Sequence, residues 1–260
     1  MAKILISNDD GILSDGILAS IKGLKPLGDV IPVCPEGENS GAGRSLSVHK
    51  PLKVKTHILK DGTKGYGVSG TPADSVTLGI HKILNEKPDL VVSGINKGMN
   101  ICKCDILASG TVGAAIEGSY QGIPSIAISL VLDPNNVKFT ANGPEFINTP
   151  NYDFASEVLQ KVAKKVLDNG LPEGVDLLNL NIPYNPKNKE IKITKLGSKM
   201  FNTNYQVIED NGVKEYVLAP KLNTDYEKGS DGYCIFNQRQ ISLTPLNIDT
   251  SGNINSLKDW

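Results

Sequence analysis

Apolar runs and polar breaks alternate along the chain in a regular order. Ile4-Leu5-Ile6 is apolar without alternation, which predicts a short strand from Lys3 to Ser7 buried on both faces. Asn8-Asp9-Asp10-Gly11 stops it. Over 14–25, Ile17, Leu18, Ile21 and Leu24 recur at three- and four-residue spacing and predict a helix. Val30 to Val33 reads as a second strand ended by Pro35, and the Gly/Ser-rich stretch from Gly37 to Ser47 as a loop. Segments 52–59 and 66–69 read as strands that pair across Asp61-Gly62. Thr71-Pro72-Ala73-Asp74 is a helix start: Thr71 suits the N-cap, Pro72 the first turn, and Asp74 the capping-box position. That helix is predicted to run to about Leu84.

Asp89 to Ser93 is the next strand, feeding Gly94-Ile95-Asn96, with a Gly/Ala-rich helix from Thr111 to Tyr120 and a strand from Ile126 to Leu130. Strand and helix in alternation predict a doubly wound, mostly parallel sheet, whose crossovers gather loops at the carboxyl ends of the strands. Beyond residue 131 the pattern changes. Residues 131–150 are polar and predict a long loop, and 153–168 predict a helix through Phe154, Val158, Val162, Val166 and Leu167. Leu177 to Leu180 reads as a strand, 181–189 as a turn, 191–220 as antiparallel strands or hairpins, and Gln240 to Leu243 as a last strand. The expected division is a core over 1–135 and a second region over 136–260, part of which packs back on the core.

Composition narrows the function. The 260 residues include 27 basic and 28 acidic side chains, a net charge of −1, which gives no whole-molecule attraction to nucleic acid or to an anionic membrane. Eight Tyr, five Phe and one Trp are too few for a base-stacking surface along a polymer. Four cysteines are too sparse for a disulfide framework and read as reduced thiols. With no apolar run long enough for a membrane span, the expected location is the cytoplasm.

Three polar segments follow strands. Asp9-Asp10 places two carboxylates side by side at the end of a buried strand, where a hard divalent cation such as Mg²⁺ or Mn²⁺ would relieve their repulsion. The same residues also suit a turn and a helix cap, and both readings stand on sequence. In Asn39-Ser40-Gly41-Ala42-Gly43-Arg44-Ser45, Gly41 and Gly43 allow backbone amides to turn toward an anion while Ser40 and Arg44 add donors; an ordinary surface loop is the alternative. Asn96 offers a neutral oxygen to the same cation or serves a turn, and Ser109-Gly110-Thr111 opens a helix whose free amides suit a phosphate or merely cap it. The Walker A ending and a Gly-x-Gly-x-x-Gly turn after the first strand are both absent, which lowers NTPase and dinucleotide readings. His49, His57 and His81 have no ligand spacing, Cys102-x-Cys104 lacks the gap of a zinc knuckle, and no Gly-x-Ser-x-Gly elbow is present.

Taken in order, Ile-Ser-Asn-Asp-Asp-Gly-Ile at 6–12, Asn-Ser-Gly-Ala-Gly-Arg-Ser at 39–45, Gly-Thr-Pro-Ala-Asp-Ser-Val at 70–76, Val-Ser-Gly-Ile-Asn at 92–96 and Ser-Gly-Thr-Val at 109–112 resemble the SurE family of stationary-phase survival proteins. Thr224-Asp225, Gly232-Tyr233 and 242–246 resemble its C-terminal part. The resemblance implies a Rossmann-like three-layer α/β core with a mostly parallel sheet and a smaller β-rich C-terminal extension. It implies a phosphatase that requires one Mg²⁺ or Mn²⁺ per subunit and acts on nucleoside 5′- and 3′-monophosphates. Asp9, Asp10, Ser40 and Asn96 would hold the metal, with Asp9 or Asp10 orienting or deprotonating the attacking water. Gly41, Gly43, Arg44, Asn100, Ser109, Gly110 and Thr111 would contact the phosphate. Self-association as dimer or tetramer is implied too, and neither a membrane nor a nucleic-acid polymer is an expected partner. A metal- and nucleotide-binding module without turnover is the alternative, because 98–105 departs from the family run Gly-x-Asn-x-Gly-x-Asp: a Cys replaces the second Gly and one residue is inserted. Ala108 stands where Tyr or His is common.

Overall fold

The computed structural model describes residues 1–133, 137–140, 143–210 and 213–252. Its centre is β1 (Ala2–Ser7), and around it stand β2 (Gly28–Pro35), β3 (Val54–Ile58), β4 (Lys64–Val68), β5 (Leu90–Lys97) and β6 (Ser125–Leu130). The later strands of the same sheet are β9 (Leu177–Ile182), β10 (Ile191–Ile193) and β15 (Ile241–Leu246). These nine run in the order β10-β15-β9-β6-β5-β1-β2-β4-β3. From β9 across to β4 every pairing is parallel, while β3 on one edge runs antiparallel to β4 and, on the other side, β15 runs antiparallel to β9 and parallel to the edge strand β10. Strands from beyond residue 135 therefore extend the sheet that the N-terminal half begins.

The doubled apolar character of β1 follows from helices on both of its faces. Ile4 and Ile6 pack into one core with α1 (Asp15–Leu24) and α5 (Asp153–Asn169). Leu5, pointing the other way, joins the core beneath α2 (Pro72–Leu78) and α4 (Gly110–Tyr120). Each fully buried Ile or Leu contributes about 1.5–3 kcal/mol of transfer free energy, so a polar residue at any of the three would unseat the central strand. The chain leaves β1 toward β2 and β4 and returns on its other side as β5. That reversal opens a crevice at the carboxyl ends of β1 and β5, where such sheets bind ligands.

Thr71 and Asp74 form the expected capping box, each side chain accepting from the other residue's amide, with Pro72 at the first position. The strands at 54–58 and 64–68 pair antiparallel around the turn at Gly62. Elsewhere the structure differs from the pattern. The helix after Pro72 is α-helical only to Leu78 and continues over Gly79–Ile83 as a wider π-helical turn. β5 does not stop at Ser93 but runs to Lys97 through an irregularity between Ser93 and Asn96, since its partner β6 continues to supply hydrogen bonds. A short helix, α3 (Lys103–Ala108), precedes α4. Within the polar 131–150 stretch, β7 (Val137–Thr140) and β8 (Gly143–Phe146) pair with each other; residues 134–136 and 141–142 of that stretch lie outside the described residues.

In the C-terminal half, β11 (Phe201–Asn202) pairs with β14 (Lys221–Leu222), and β12 (Tyr205–Asp210) with β13 (Val213–Leu218), in two small antiparallel ribbons apart from the main sheet. A third apolar cluster of Ile101, Cys102, Val131, Met200, Tyr226 and Ile235 ties the 98–105 segment to this half. No helix among the described residues is long and apolar enough to cross a membrane.

Candidate active site

Asp9 stands two residues past the end of β1 and lies in the crevice, 7% exposed. Its position is set by α4. The Thr111 hydroxyl donates to Asp9 Oδ1 at 2.5 Å. A Cβ on Gly110 would lie 2.8 Å from Asp9 Cβ and 3.2 Å from the Asn39 carbonyl, so only glycine lets the helix end approach this closely. Ser109 caps the helix by accepting from the Val112 amide at 3.1 Å. Asp10 Oδ2 accepts from the Lys97 amide at 3.1 Å, which fastens the end of β1 to the end of β5.

The 37–47 loop is a strap pinned along its length. The Asn39 amide donates to the Asp9 carbonyl at 2.7 Å, and the Gly43 amide to the Ala108 carbonyl at 2.9 Å. Thr71 Oγ1 donates to the Ser45 carbonyl at 2.6 Å, and Asp74 Oδ1 accepts from the Ser47 amide at 2.9 Å. The α2 capping box thus serves the loop as well as the helix. Gly43 sits at a φ of +55°, and a Cβ there would stand 2.9 Å from the Leu107 carbonyl.

The predicted residues do not all converge. Asp9 meets Gly110 and Thr111 directly, and Asp10 adjoins it through the chain and meets the Lys97 amide. Ser40 follows Asn39 beside Asp9, and its exposed hydroxyl donates to Glu38 at 2.7 Å. Asn96 precedes the Lys97 amide and donates from Nδ2 to the Gly98 carbonyl at 3.0 Å, leaving Oδ1 as the end that could face a ligand. Gly41 is exposed at a φ of +74°. Arg44 turns away: its Nη1 pairs with Glu117 Oε2 at 2.6 Å and its guanidinium lies over the Tyr120 ring at 4.8 Å. Glu117 is six residues along α4 from Thr111, about 9 Å at helical rise. Asn100 is held by β6 and β9 instead. Its amide donates to Asn181 Oδ1, its Nδ2 to Ser129 Oγ, and its carbonyl accepts from both Asn179 and Asn181.

Burial governs the electrostatics of the acid pair. Removal from water raises the Asp9 carboxyl, against the Thr111 hydrogen bonds that lower it. Burial, then the charge of Asp9, pushes Asp10 up to about 6, against the Lys97 amide. Glu38 adds to the negative field on both. The charge of Lys97 eases Asp10 but does not offset its burial, and two adjacent carboxylates drawn out of water are the donor chemistry a hard divalent cation takes. Among the described residues no group of three or more His, Cys, Asp or Glu is placed to hold a metal, so neutral oxygens such as those of Ser40 and Asn96 would have to complete the shell.

Several contributors escaped the sequence reading. Asn39 and Lys97 act through main-chain amides, which no side-chain pattern reveals. Glu117, 3% exposed, accepts from Arg44, Thr77 and Gln121. A single acid in a helix of small residues was its one visible signal. Cys102, at the position where the family run has Gly, stands at a φ of +65°, a conformation glycine adopts without cost. Its amide donates to the buried Asp231 at 2.8 Å, which holds the conformation in place.

A family model described as "Survival protein SurE" matches residues 4–203. Curated proteins called "5'-nucleotidase SurE" from Methanobrevibacter smithii and Methanothrix thermoacetophila are both 42% identical to this chain; the first alignment covers 99% of each chain, the second 98% of this one and 96% of the other. The crystal structure of the SurE protein from Aquifex aeolicus superposes with a TM-score of 0.80 at 36% identity, covering 98% of both chains.

Proposed function

The chain belongs to the SurE family, and from that premise we propose that it is a divalent-metal-dependent phosphomonoesterase hydrolysing nucleoside 5′-monophosphates, and 3′-monophosphates as well, to nucleoside and phosphate. The observation that carries the reading is the desolvated Asp9–Asp10 pair set against the amino end of α4. Relatives named 5'-nucleotidase that match over nearly the whole chain support the same substrate class.

Asp9, Asp10, Ser40 Oγ and Asn96 Oδ1 would hold one Mg²⁺ or Mn²⁺ per subunit. When bound, such an ion supplies Lewis-acid polarisation of the phosphoryl oxygens and acidifies a water. The chain does the rest. Gly110 keeps the helix end open for a phosphate oxygen, and the amides there offer fixed donors as charge grows in the transition state. Thr111 holds Asp9 in one rotamer. Asp9 or Asp10 orients the attacking water and takes its proton. Gly43 lets the strap close onto the Leu107–Ala108 turn before α4, exposed Gly41 leaves its amide free to face an anion, and Ser109 fixes the first turn of α4. Arg44 and Asn100 are read as positioning this frame rather than touching phosphate, given where their side chains lie.

Self-association as dimer or tetramer belongs to the same reading. The β12–β13 ribbon presents Tyr205, Val207, Val213, Tyr216 and Leu218, each more than half exposed, and such an arm suits burial against another copy. Light scattering of the intact protein tests this. A cytoplasmic location belongs to the same reading, supported by four sparse cysteines that are all free thiols.

The deciding experiment is phosphate release from AMP by purified protein, before and after chelation, and after return of Mn²⁺ or Mg²⁺. Activity lost on chelation and restored by the ion is expected. Activity indifferent to chelation overturns the scheme, and saturable AMP binding without release would favour a binding module.

A further inference from the structure

The acid turn has a neighbour that runs beside it throughout. The Ile12 amide donates to the Pro35 carbonyl at 2.9 Å, a Cβ on Gly11 would lie 3.2 Å from Gly37 Cα, and the Asn39 amide donates to the Asp9 carbonyl at 2.7 Å. Residues 9–12 and 35–39 therefore pass each other in opposite directions, Ile12 beside Pro35, Gly11 beside Gly37 and Asp9 beside Asn39. Glu38 is left opposite Asp10. Its backbone is fixed on either side, through Gly37 against Gly11 and Asn39 against Asp9. Asn39 Nδ2 also donates to the Gly37 carbonyl at 2.9 Å, which closes the chain around Glu38.

The charge of Glu38 reaches both Asp9 and Asp10, yet among the described residues the three acids do not form a set placed to hold a metal together. Glu38 is close enough to act on the pair and stands outside a ligand sphere shared with it. What its carboxylate does hold is Ser40, whose hydroxyl donates to Glu38 Oε1 at 2.7 Å. A serine hydroxyl has one proton and two lone pairs. With the proton committed to Glu38, Ser40 has only lone pairs left to offer, which suits a cation and not a phosphate oxygen. A carboxylate behind the ligand also fixes its orientation and makes its oxygen more electron-rich, as outer-sphere partners of metal ligands do. Resting on the reading that Ser40 Oγ helps to hold the cation, we propose that Glu38 is a positioning residue for the metal, acting on the ion through Ser40 rather than by touching it. The hydrogen bond from Ser40 to Glu38 is what turns an exposed loop serine into a ligand.

The test is a double-mutant cycle on Mn²⁺ affinity, read by calorimetric titration of the intact protein with Mn²⁺ alone. Glu38 and Ser40 are both exposed, so neither change disturbs a core. Glu38→Ala is expected to weaken Mn²⁺ binding about tenfold or more, the scale of a lost outer-sphere partner. In a Ser40→Ala background the same change should weaken it about threefold or less, which is what an exposed charge contributes through its field. Glu38→Gln, which keeps an acceptor for Ser40 without the charge, should recover part of the loss. An equal loss in both backgrounds overturns the inference, because Glu38 would then act by its field or by direct ligation. A loss that tracks a fall in the unfolding temperature of the metal-free protein overturns it too. The two readings fail differently: wild type that binds no Mn²⁺ sinks the metal site and this inference with it, whereas Glu38→Ala that binds as tightly as wild type sinks this inference alone.

Discussion

Two regions of the molecule bury acids, and they treat them in opposite ways. Asp231 is fully buried and accepts from the main-chain amides of Cys102, Gly197 and Gly232, each at 2.8 Å. Its charge is answered where it sits, and it welds the 98–105 segment to the C-terminal half. Asp9 and Asp10 are also withdrawn from water; Asp9 is met by the Thr111 hydroxyl and amide and by its own amide, Asp10 by the amide and the charge of Lys97, yet burial still pushes both carboxyls upward. A buried acid with its full set of donors is architecture. A buried pair whose donors do not offset its burial is a binding potential held open for a cation.

The most forceful way to break this contrast is to neutralise the short-handed pair. Asp10→Asn should lower phosphate release about a thousandfold, as expected when a principal electrostatic contributor is removed. The same change should stabilise the metal-free protein. The folded carboxyl titrates near 6 and the unfolded one near 3.8, so ionisation favours the unfolded chain. Metal-free stability therefore falls as pH rises from about 4 to about 6 and stays low above that. Removing the charge restores about 1–3 kcal/mol at pH 7, read as a higher urea midpoint. Added Mn²⁺ should raise the wild-type midpoint and leave the variant's unmoved. A variant both inactive and less stable than metal-free wild type would make Asp10 another structural acid.

Asp231→Asn probes the other region and should invert the pattern. One carboxylate oxygen becomes an amino group facing amide donors, at a cost of about 2–4 kcal/mol. Phosphate release per folded molecule should stay within about twofold, because Asp231 contacts none of the residues around Asp9. Thermal unfolding, with activity normalised to the folded fraction, checks both halves. An activity loss exceeding the loss of folded protein would erase the distinction between the two acids.

How far the sequence could foresee this depends on the range of the interaction that decides each feature. Ile4-Leu5-Ile6 announces a strand covered on both faces, and Thr71-Pro72-Ala73-Asp74 announces its cap, because each signal is complete within a few residues. The family motifs likewise assign Asp9 and Thr111 to one site, and the Thr111 hydroxyl does donate to Asp9. The continuation of β5 to Lys97 was hidden, since it depends on β6 lying alongside. So was the strap's attachment, which uses the backbone of Asn39 and Gly43. Asn100 carries the same side chain whether it meets phosphate or Asn179 and Asn181, and only the packed sheet reveals which of these it touches here.

Arg44 is the sharpest case of that ambiguity, and it carries the smallest expected effect. An arginine in a glycine-rich loop suits a phosphate, but this one pairs with nearly buried Glu117 and covers Tyr120. The strap has other attachments at Asn39, Gly43, Ser45 and Ser47, so loss of one exposed partner should loosen it only slightly. Arg44→Ala is expected to cost about 1 kcal/mol of stability, the scale of a partly exposed pair, and to lower kcat/KM less than about tenfold. Glu117→Gln separates the two roles. If Arg44 anchors the strap, cutting its partner reproduces the modest loss, and Arg44→Lys recovers part of it through the retained charge. If Arg44 instead serves the phosphate, Glu117→Gln frees the guanidinium and leaves kcat/KM intact, while Arg44→Ala falls a hundredfold or more, the scale of a lost transition-state donor.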